Sequence, residues 1–329
     1  MNASPGATLL LTREQPFDVA RLDRDRQLHR IRAGAYVRKK VWDHLAPWER
    51  YRLRVLAVAR TWRSPVFCLE SAAVLQGLPI FGEPTHIHVL SAGGRSWSEG
   101  DVIVHGHVDP RDVTDALGIK VTALGDTAVD LARVLPPAFA LAVVDAAVRI
   151  LERRGESIDV SERGRAQRNR RGVRQLDWVR ARACPVSESV GESVSRAVIE
   201  WLGYEAPLLQ KVFHYEGETD RSDFYWRRLR IIGESDGYGK YDADDPEAMK
   251  AHFVAEKTRE DRLRRYEGGF ARWDWADTLR FEPLDKKLRA TGLVPAHPRQ
   301  SLMLRTLAQN PRSFAPRPKA ESPKPGARS

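Results

Sequence analysis

Carboxylates gather in one stretch of an otherwise basic chain. The segment IIGESDGYGKYDADD, residues 231–245, places Glu234 after an apolar pair, repeats the acid at Asp236 and ends in three more aspartates. The whole chain of 329 residues carries 54 Lys and Arg against 44 Asp and Glu, a net charge of +10. Clustered acids repel one another unless positive charge sits among them. Just upstream, SDFYW (222–226) is joined to the acidic segment by Arg227–Arg230. A hairpin symmetric over that connection sets Asp223 opposite Glu234, with Cβ atoms about 4.5–5.5 Å apart. Asp236, two residues on, shares the face of Glu234. Acids so opposed destabilise a sheet without a cation, and the expected one is divalent, Mg²⁺ or Mn²⁺, held by Asp223, Glu234 and Asp236.

The elements that would position these acids are legible in the hydrophobic periods. In VSESVGESVSRAVIEWLGYEAP (186–207), Val190, Val194, Val198 and Leu202 recur every four residues, the pattern of one helix face, and Gly203 marks its end. Three strand-like runs follow, LLQKVFHYEG, TDRSDFYWRR and LRIIGESDG, then a helix PEAMKAHFVAEKTREDRLRRYEGG and a final strand FARWDW. The order is helix, three strands, helix, strand.

These segments resemble the PD-(D/E)XK nuclease superfamily, in the branch similar to very-short-patch-repair (Vsr) endonucleases. The likeness rests on ESVGESVSR, SDFYW, IIGESDGYGKY and EKTREDRLRR followed by RWDW, and covers roughly the C-terminal third. It implies an αβββαβ core, Asp223 and Glu234 as metal ligands, Glu192 as a supporting acid from the first helix, and Gln210 as a polar contact on the first strand. The superfamily carries Lys two residues after the second acid, where this chain has Asp236. Lys240 or Lys257 then becomes the candidate for the missing positive charge, to orient water or stabilise charge on a phosphorane.

The N-terminal half points to nucleic acid by its charge. FDVARLDRDRQLHRIRAGAYVRKK (17–40) reads as a short helix and a tight hairpin centred on Gly34, the outline of a winged helix. Arg24, Arg26, Arg30 and Arg32 would lie along a duplex backbone. Residues 46–150 read as an α+β unit, in which two His-x-His pairs (His86, His88, His105, His107) are taken as packing residues because no acid or thiol ligand accompanies them. The runs LHRIRAGAYV, LESAAVLQGLPI and DTAVDLARVL resemble the AbiEi family of type IV toxin–antitoxin antitoxins and regulators. An Arg-rich helical connector is expected over 151–185, lying in solvent or along phosphates, and a basic, Pro-rich, partly disordered tail over 286–329.

The expectation is thus a multidomain α+β and α/β protein: a winged-helix segment (1–45), a middle domain (46–150), the connector, a nuclease-like domain (186–285) and the tail. Two widely spaced cysteines, Cys68 and Cys184, support neither a disulfide framework nor a cysteine zinc site. No run reaches the length of a membrane span, and a cytoplasmic location is expected. Two functions stay open: a DNA-binding, metal-dependent phosphodiesterase of restriction, repair or phage-defence type, or an antitoxin and repressor, with or without a cognate toxin, whose nuclease-like domain does not cut.

Overall fold

The computed structural model describes residues 8–14, 25–91, 93–106, 109–157, 160–237, 246–308 and 310–315. The chain is a mixed α/β protein with several mixed sheets. It begins with β1 (Leu10–Leu11), then β2 (Leu28–Arg32) and β3 (Ala35–Arg38), which form a three-stranded sheet in the order β1-β3-β2. The β2–β3 turn passes through Gly34 at φ +79°, a conformation glycine adopts without a Cβ penalty. The helix expected before this hairpin, with Arg24 on it, lies largely outside the described residues.

Helices α1 (Lys39–His44) and α2 (Pro47–Thr61) lead into the second unit. Pro47 opens α2 where a missing N–H costs nothing, and Glu49 closes the first turn by accepting the Ala46 N–H at 2.8 Å. Next come β4 (Val66–Phe67), α3 (Leu69–Gln76), β5 (Ile87–Ser91), β6 (Trp97–Glu99), β7 (Val102–Gly106), β8 (Val113–Ala116) and β9 (Ile119–Thr122). These strands make a six-stranded mixed sheet in the order β6-β7-β5-β4-β9-β8. Tyr51, Val55 and Val58 of α2 pack with Phe67, Ile87, Val89, Val102, Val104 and Val121, which is why α2 shows apolar residues at three- and four-residue spacing.

Helices α4 (Leu124–Val134) and α5 (Pro137–Arg153) follow, then α6 (Val160–Ala166) and α7 (Val173–Arg180). The last two occupy the expected connector, and they are packed as well as charged. Leu176 and Val179 are buried. Arg163 donates to Asp126 and Asp112 at 2.9 Å each, and Arg182 holds Glu200 through two hydrogen bonds.

The third unit runs α8 (Val190–Trp201), β10 (Leu208–Tyr215), β11 (Glu218–Trp226), β12 (Ile231–Asp236), α9 (Pro246–Tyr266) and β13 (Gly269–Asp274). Its sheet order is β10-β11-β12-β13, antiparallel except for the parallel β12–β13 pair. One face contributes Phe224, Ile231, Ala271 and Trp273 to a cluster with Val194 and Val198 of α8; the other sets Tyr225, Ile232 and Phe270 against Leu263 of α9. Alternation along each strand therefore feeds two cores.

The first of those cores does not stop at this unit. It also contains Leu131, Leu141 and Val144 of α4 and α5. Asp145 of α5, fully buried, receives Arg196 of α8 at 2.8 Å and the Cys184 N–H. The units expected to be separated by a connector thus share apolar packing and a buried ion pair. Residues expected in a tail also enter this core: after α10 (Trp275–Arg280), helices α11 (Glu282–Ala290) and α12 (Ser301–Arg305) bury Leu288, Leu304 and the following Leu307. Residues 310–315, expected to be disordered, dock on the middle unit. Thr85 N–H donates to Arg312 O, Phe314 N–H donates to Glu83 O, and the Arg312 guanidinium binds buried Glu70. Pairing a carboxylate that is 3% exposed is what fixes that segment. Among the described residues no helix is long and apolar enough to cross a membrane.

Candidate functional site: a polar row across the third sheet

The β11–β12 register pairs Phe224 with Gly233, Tyr225 with Ile232 and Trp226 with Ile231. One step further along the same register, Asp223 falls opposite Glu234. On β12–β13, Glu234 is the partner of Arg272. On β10–β11 the pairs Leu209–Phe224 and Lys211–Ser222 flank Gln210 and Asp223. Extended through these flanking pairs, the register aligns Gln210 and Asp223 with the Glu234–Arg272 pair, which alone of the three steps is a ladder pair. Gln210 sits at φ +51°, a left-handed value that costs a non-glycine residue on the order of 1 kcal/mol or more. Such strain in mid-strand persists where the surroundings impose it.

Glu192 enters from the first turn of α8. Ser189 caps that helix by accepting the Glu192 N–H at 3.1 Å. The Glu192 carboxylate, 5% exposed, accepts the Glu188 N–H at 2.9 Å and Gln210 Nε2 at 2.8 Å. It thus closes the helix start and holds Gln210. Asp223 is half-buried and accepts the Ser235 N–H at 2.9 Å.

Glu234 is buried and doubly held. Arg259 Nη2 donates to both its oxygens at 2.7 Å, and Arg272 Nη2 to one at 2.7 Å. Both guanidiniums also reach Glu256, which its hydrogen bond from Arg259 keeps well below the usual carboxylate range, at about 2. Arg272 lies 3.6 Å from Asp236 and from Glu260. Burial pushes the Asp236 carboxyl up and nearby Glu234 and Glu256 push it further, against Arg272 pulling down.

The positive charge on Glu234 comes from arginine, while Lys287 joins Arg272 in pulling Asp236 down. Lys257 is exposed and makes no ion pair among the described residues, because it leaves the helix on the side away from Glu256 and Arg259. Lys240 lies outside the described residues. Glu256, Arg259, Glu260 and Leu263 follow i, i+3, i+4, i+7 spacing on α9, so the helix period carried the signal for Arg259. The signal for Arg272 is weaker, a basic residue in the last strand.

Among the described residues no group of three or more His, Cys, Asp or Glu side chains is gathered as a metal-holding set. Magnesium does not need one, since it is commonly held by one or two carboxylates with waters and substrate phosphates. The donors Asp223 and Glu234 are hard oxygens of that class. The site keeps an excess of acid, with Asp223, Glu234, Asp236, Glu256 and Glu260 around two guanidiniums. One buried oxygen there, Ser235 Oγ, has no hydrogen-bond partner. The hard oxygen donors, the excess of acid and this unpartnered hydroxyl fit a hard divalent cation.

The arginines of the expected duplex-binding segment are differently placed. Arg26 and Arg30 are exposed at and on β2, whereas Arg32 is half-buried, with Nη1 3.9 Å from Asp101 of the middle unit.

Two proteins of Mycobacterium tuberculosis are similar to the chain: uncharacterized protein Rv2248 of strain ATCC 25618 / H37Rv and uncharacterized protein MT2308 of strain CDC 1551 / Oshkosh. Each is 33% identical over 195 residues, 59% of this chain and 68% of the relative. No protein-family model and no solved structure matches the chain.

Proposed function

The chain belongs to one family with these two mycobacterial proteins, and for it we propose a cytoplasmic DNA-binding protein whose C-terminal unit is a PD-(D/E)XK-like, Vsr-like phosphodiesterase dependent on Mg²⁺ or Mn²⁺. The observation that carries this reading is the alignment of Asp223, by extension of the β11–β12 register, with the Glu234–Arg272 pair on a helix, three-strand, helix, strand unit with a parallel last pair. Asp223 and Glu234 would hold the ion, with Asp236 beside them. Bound there, it would lower the pKa of a water and neutralise charge on the scissile phosphate. Glu192 fixes Gln210 by accepting its amide. Arg259 and Arg272 hold Glu234 in one rotamer and supply the fixed positive charge expected of a lysine, without a lysine's ability to lose its proton. The β1–β3 sheet with its Gly34 hairpin serves as the wing of an AbiEi-like winged helix that holds duplex DNA through its phosphates.

A second reading has its own observation. Asp236 stands at the usual lysine position, and both Glu234 oxygens are taken by guanidiniums. A site so satisfied suits a scaffold that binds DNA without cutting, as an antitoxin or repressor of a cognate toxin's operon would. Nicking of supercoiled plasmid in Mg²⁺ or Mn²⁺, against chelator and against Asp223→Asn, decides between them. Cleavage by the wild type alone supports the phosphodiesterase; no cleavage with either ion supports the repressor.

A further inference from the structure

On the middle unit, far in sequence from the polar row, an exposed tryptophan, Trp97, stacks on the half-buried Trp62, which packs against the core. Trp62 ends α2, its N–H donating to Val58 O at 2.9 Å. Trp97 opens β6, the edge strand of the six-stranded sheet, whose three residues are all exposed. The two indoles stack with centroids 5.8 Å apart and planes within 12°, and Trp97 remains 46% exposed. Large aromatics usually bury their faces, so Trp97, stacked on a core-anchored indole and left open to solvent, is a surface with a use.

Its neighbours along the chain are mostly basic. Arg60 and Arg63 flank Trp62, Arg95 precedes Trp97 by two residues, and all three are exposed. None makes a hydrogen bond or ion pair through its side chain among the described residues. Elsewhere in the same half, Arg54 binds Asp101, Pro84 O and Thr85 O, Arg111 binds Asp130, and Arg133 holds three backbone carbonyls. Guanidiniums there serve the fold, while those around the tryptophans do not. Glu99, exposed on β6, is the opposing charge on that strand.

We propose that the Trp62–Trp97 pair is a stacking platform for unpaired bases, with Arg60, Arg63 and Arg95 tracking the phosphates of a single strand. An aromatic face bonds any base that offers its own face, and bases inside a duplex do not. The charge favours nucleic acid over an uncharged ligand or a second copy of the chain, since two copies would bring the same arginines together. This site is separate from the polar row and does not depend on cleavage there.

The test uses the full chain and a labelled oligothymidylate of about 20 nucleotides, followed by anisotropy and by quenching of tryptophan fluorescence. Trp97→Ala should weaken binding about tenfold and remove most of the quenching, Trp97→Phe should retain most of the affinity, and duplex affinity should be unchanged by either. Replacing Arg60, Arg63 and Arg95 together by Ala should reduce the slope of log affinity against log salt by roughly 2. Single-strand affinity indifferent to Trp97→Ala overturns the proposal. A change of oligomeric state in Trp97→Ala, with oligonucleotide binding unaltered, overturns it in favour of an edge-to-edge contact between copies.

Discussion

Glu234 on β12 and Arg272 on β13 are register partners in the parallel half of the third sheet, joined at 2.7 Å. Arg259 reaches the same carboxylate from α9, so a strand neighbour and a helix neighbour converge on one buried acid. This arrangement answers the electrostatic problem of opposed acids partly from within the chain. It also makes any divalent ion a competitor for ligands that are already in use.

Removing one guanidinium should therefore cost more without metal than with it. Arg259→Ala leaves Glu234 and Glu256 short of a donor and should cost about 1–3 kcal/mol in chelator. Mg²⁺ should recover part of that loss, because the freed carboxylate oxygens can then bind the ion. Melting curves of wild type and variant across a Mg²⁺ titration read both effects. A variant whose deficit is the same at every Mg²⁺ concentration would show that the ion does not visit Glu234.

Asp223→Asn separates metal binding from DNA binding. The amide keeps the shape and can still accept the Ser235 N–H through its oxygen, but it loses the charge that attracts a divalent ion. The metal-induced rise in melting temperature and any plasmid nicking should disappear, while duplex affinity stays within about twofold of wild type, since the proposed function assigns phosphate contacts to the N-terminal segment. Nicking that survives in the variant would move the active carboxylate away from Asp223.

A pH dependence follows from the middle unit. Burial drives His88 down to about 3, outweighing the pull of Glu70 in the other direction, with Arg312, His105 and His86 also opposing its charge. Its Nδ1 lies 2.9 Å from His105 Nε2, and His105 is shifted down as well, chiefly by burial. An unfolded histidine protonates near 6.5. The folded pKa is the lower one, so this stability is complete above about pH 6.5 and is lost as pH falls toward about 3. Urea midpoints should decline over that window in the wild type and decline less in His88→Gln. Equal slopes in the two proteins would assign the acid sensitivity to other groups.

The third unit was the most legible part of the sequence, for a physical reason. Its strands alternate and its first helix repeats every four residues, so element order follows from period alone, and a four-residue turn fixes Asp223 opposite Glu234. Arg259 was harder, because its role needs α9 laid over the sheet with Glu256 facing in, a tertiary fact that the helix period permits without requiring. The merging of units was not legible at all. Asp145 and Arg196 are 51 residues apart and meet only because α5 and α8 share a core, and neither segment's own pattern names its partner. Arg312 is similar: a basic residue in a Pro-rich run reads as tail until Glu70, 242 residues away, is seen to bind it.

The last prediction splits two arginines that the sequence grouped together. Arg30 lies exposed on β2, whereas Arg32, next but one along the same strand, turns toward Asp101, which Arg54 also binds at 2.9 Å. The β2–β3 register shifts between Arg30 and Arg32, so the two do not sit on one regular stretch of strand. Arg30→Ala should lower duplex affinity across unrelated sequences and reduce the salt slope by about 1. Arg32→Ala should lower the melting temperature by a degree or two, in keeping with a contact worth less than about 1 kcal/mol, and leave the salt slope alone. Affinity and melting measured on both variants settle the assignment. If Arg32→Ala flattens the salt dependence and Arg30→Ala does not, the duplex lies against the middle unit, and the wing is not its principal contact.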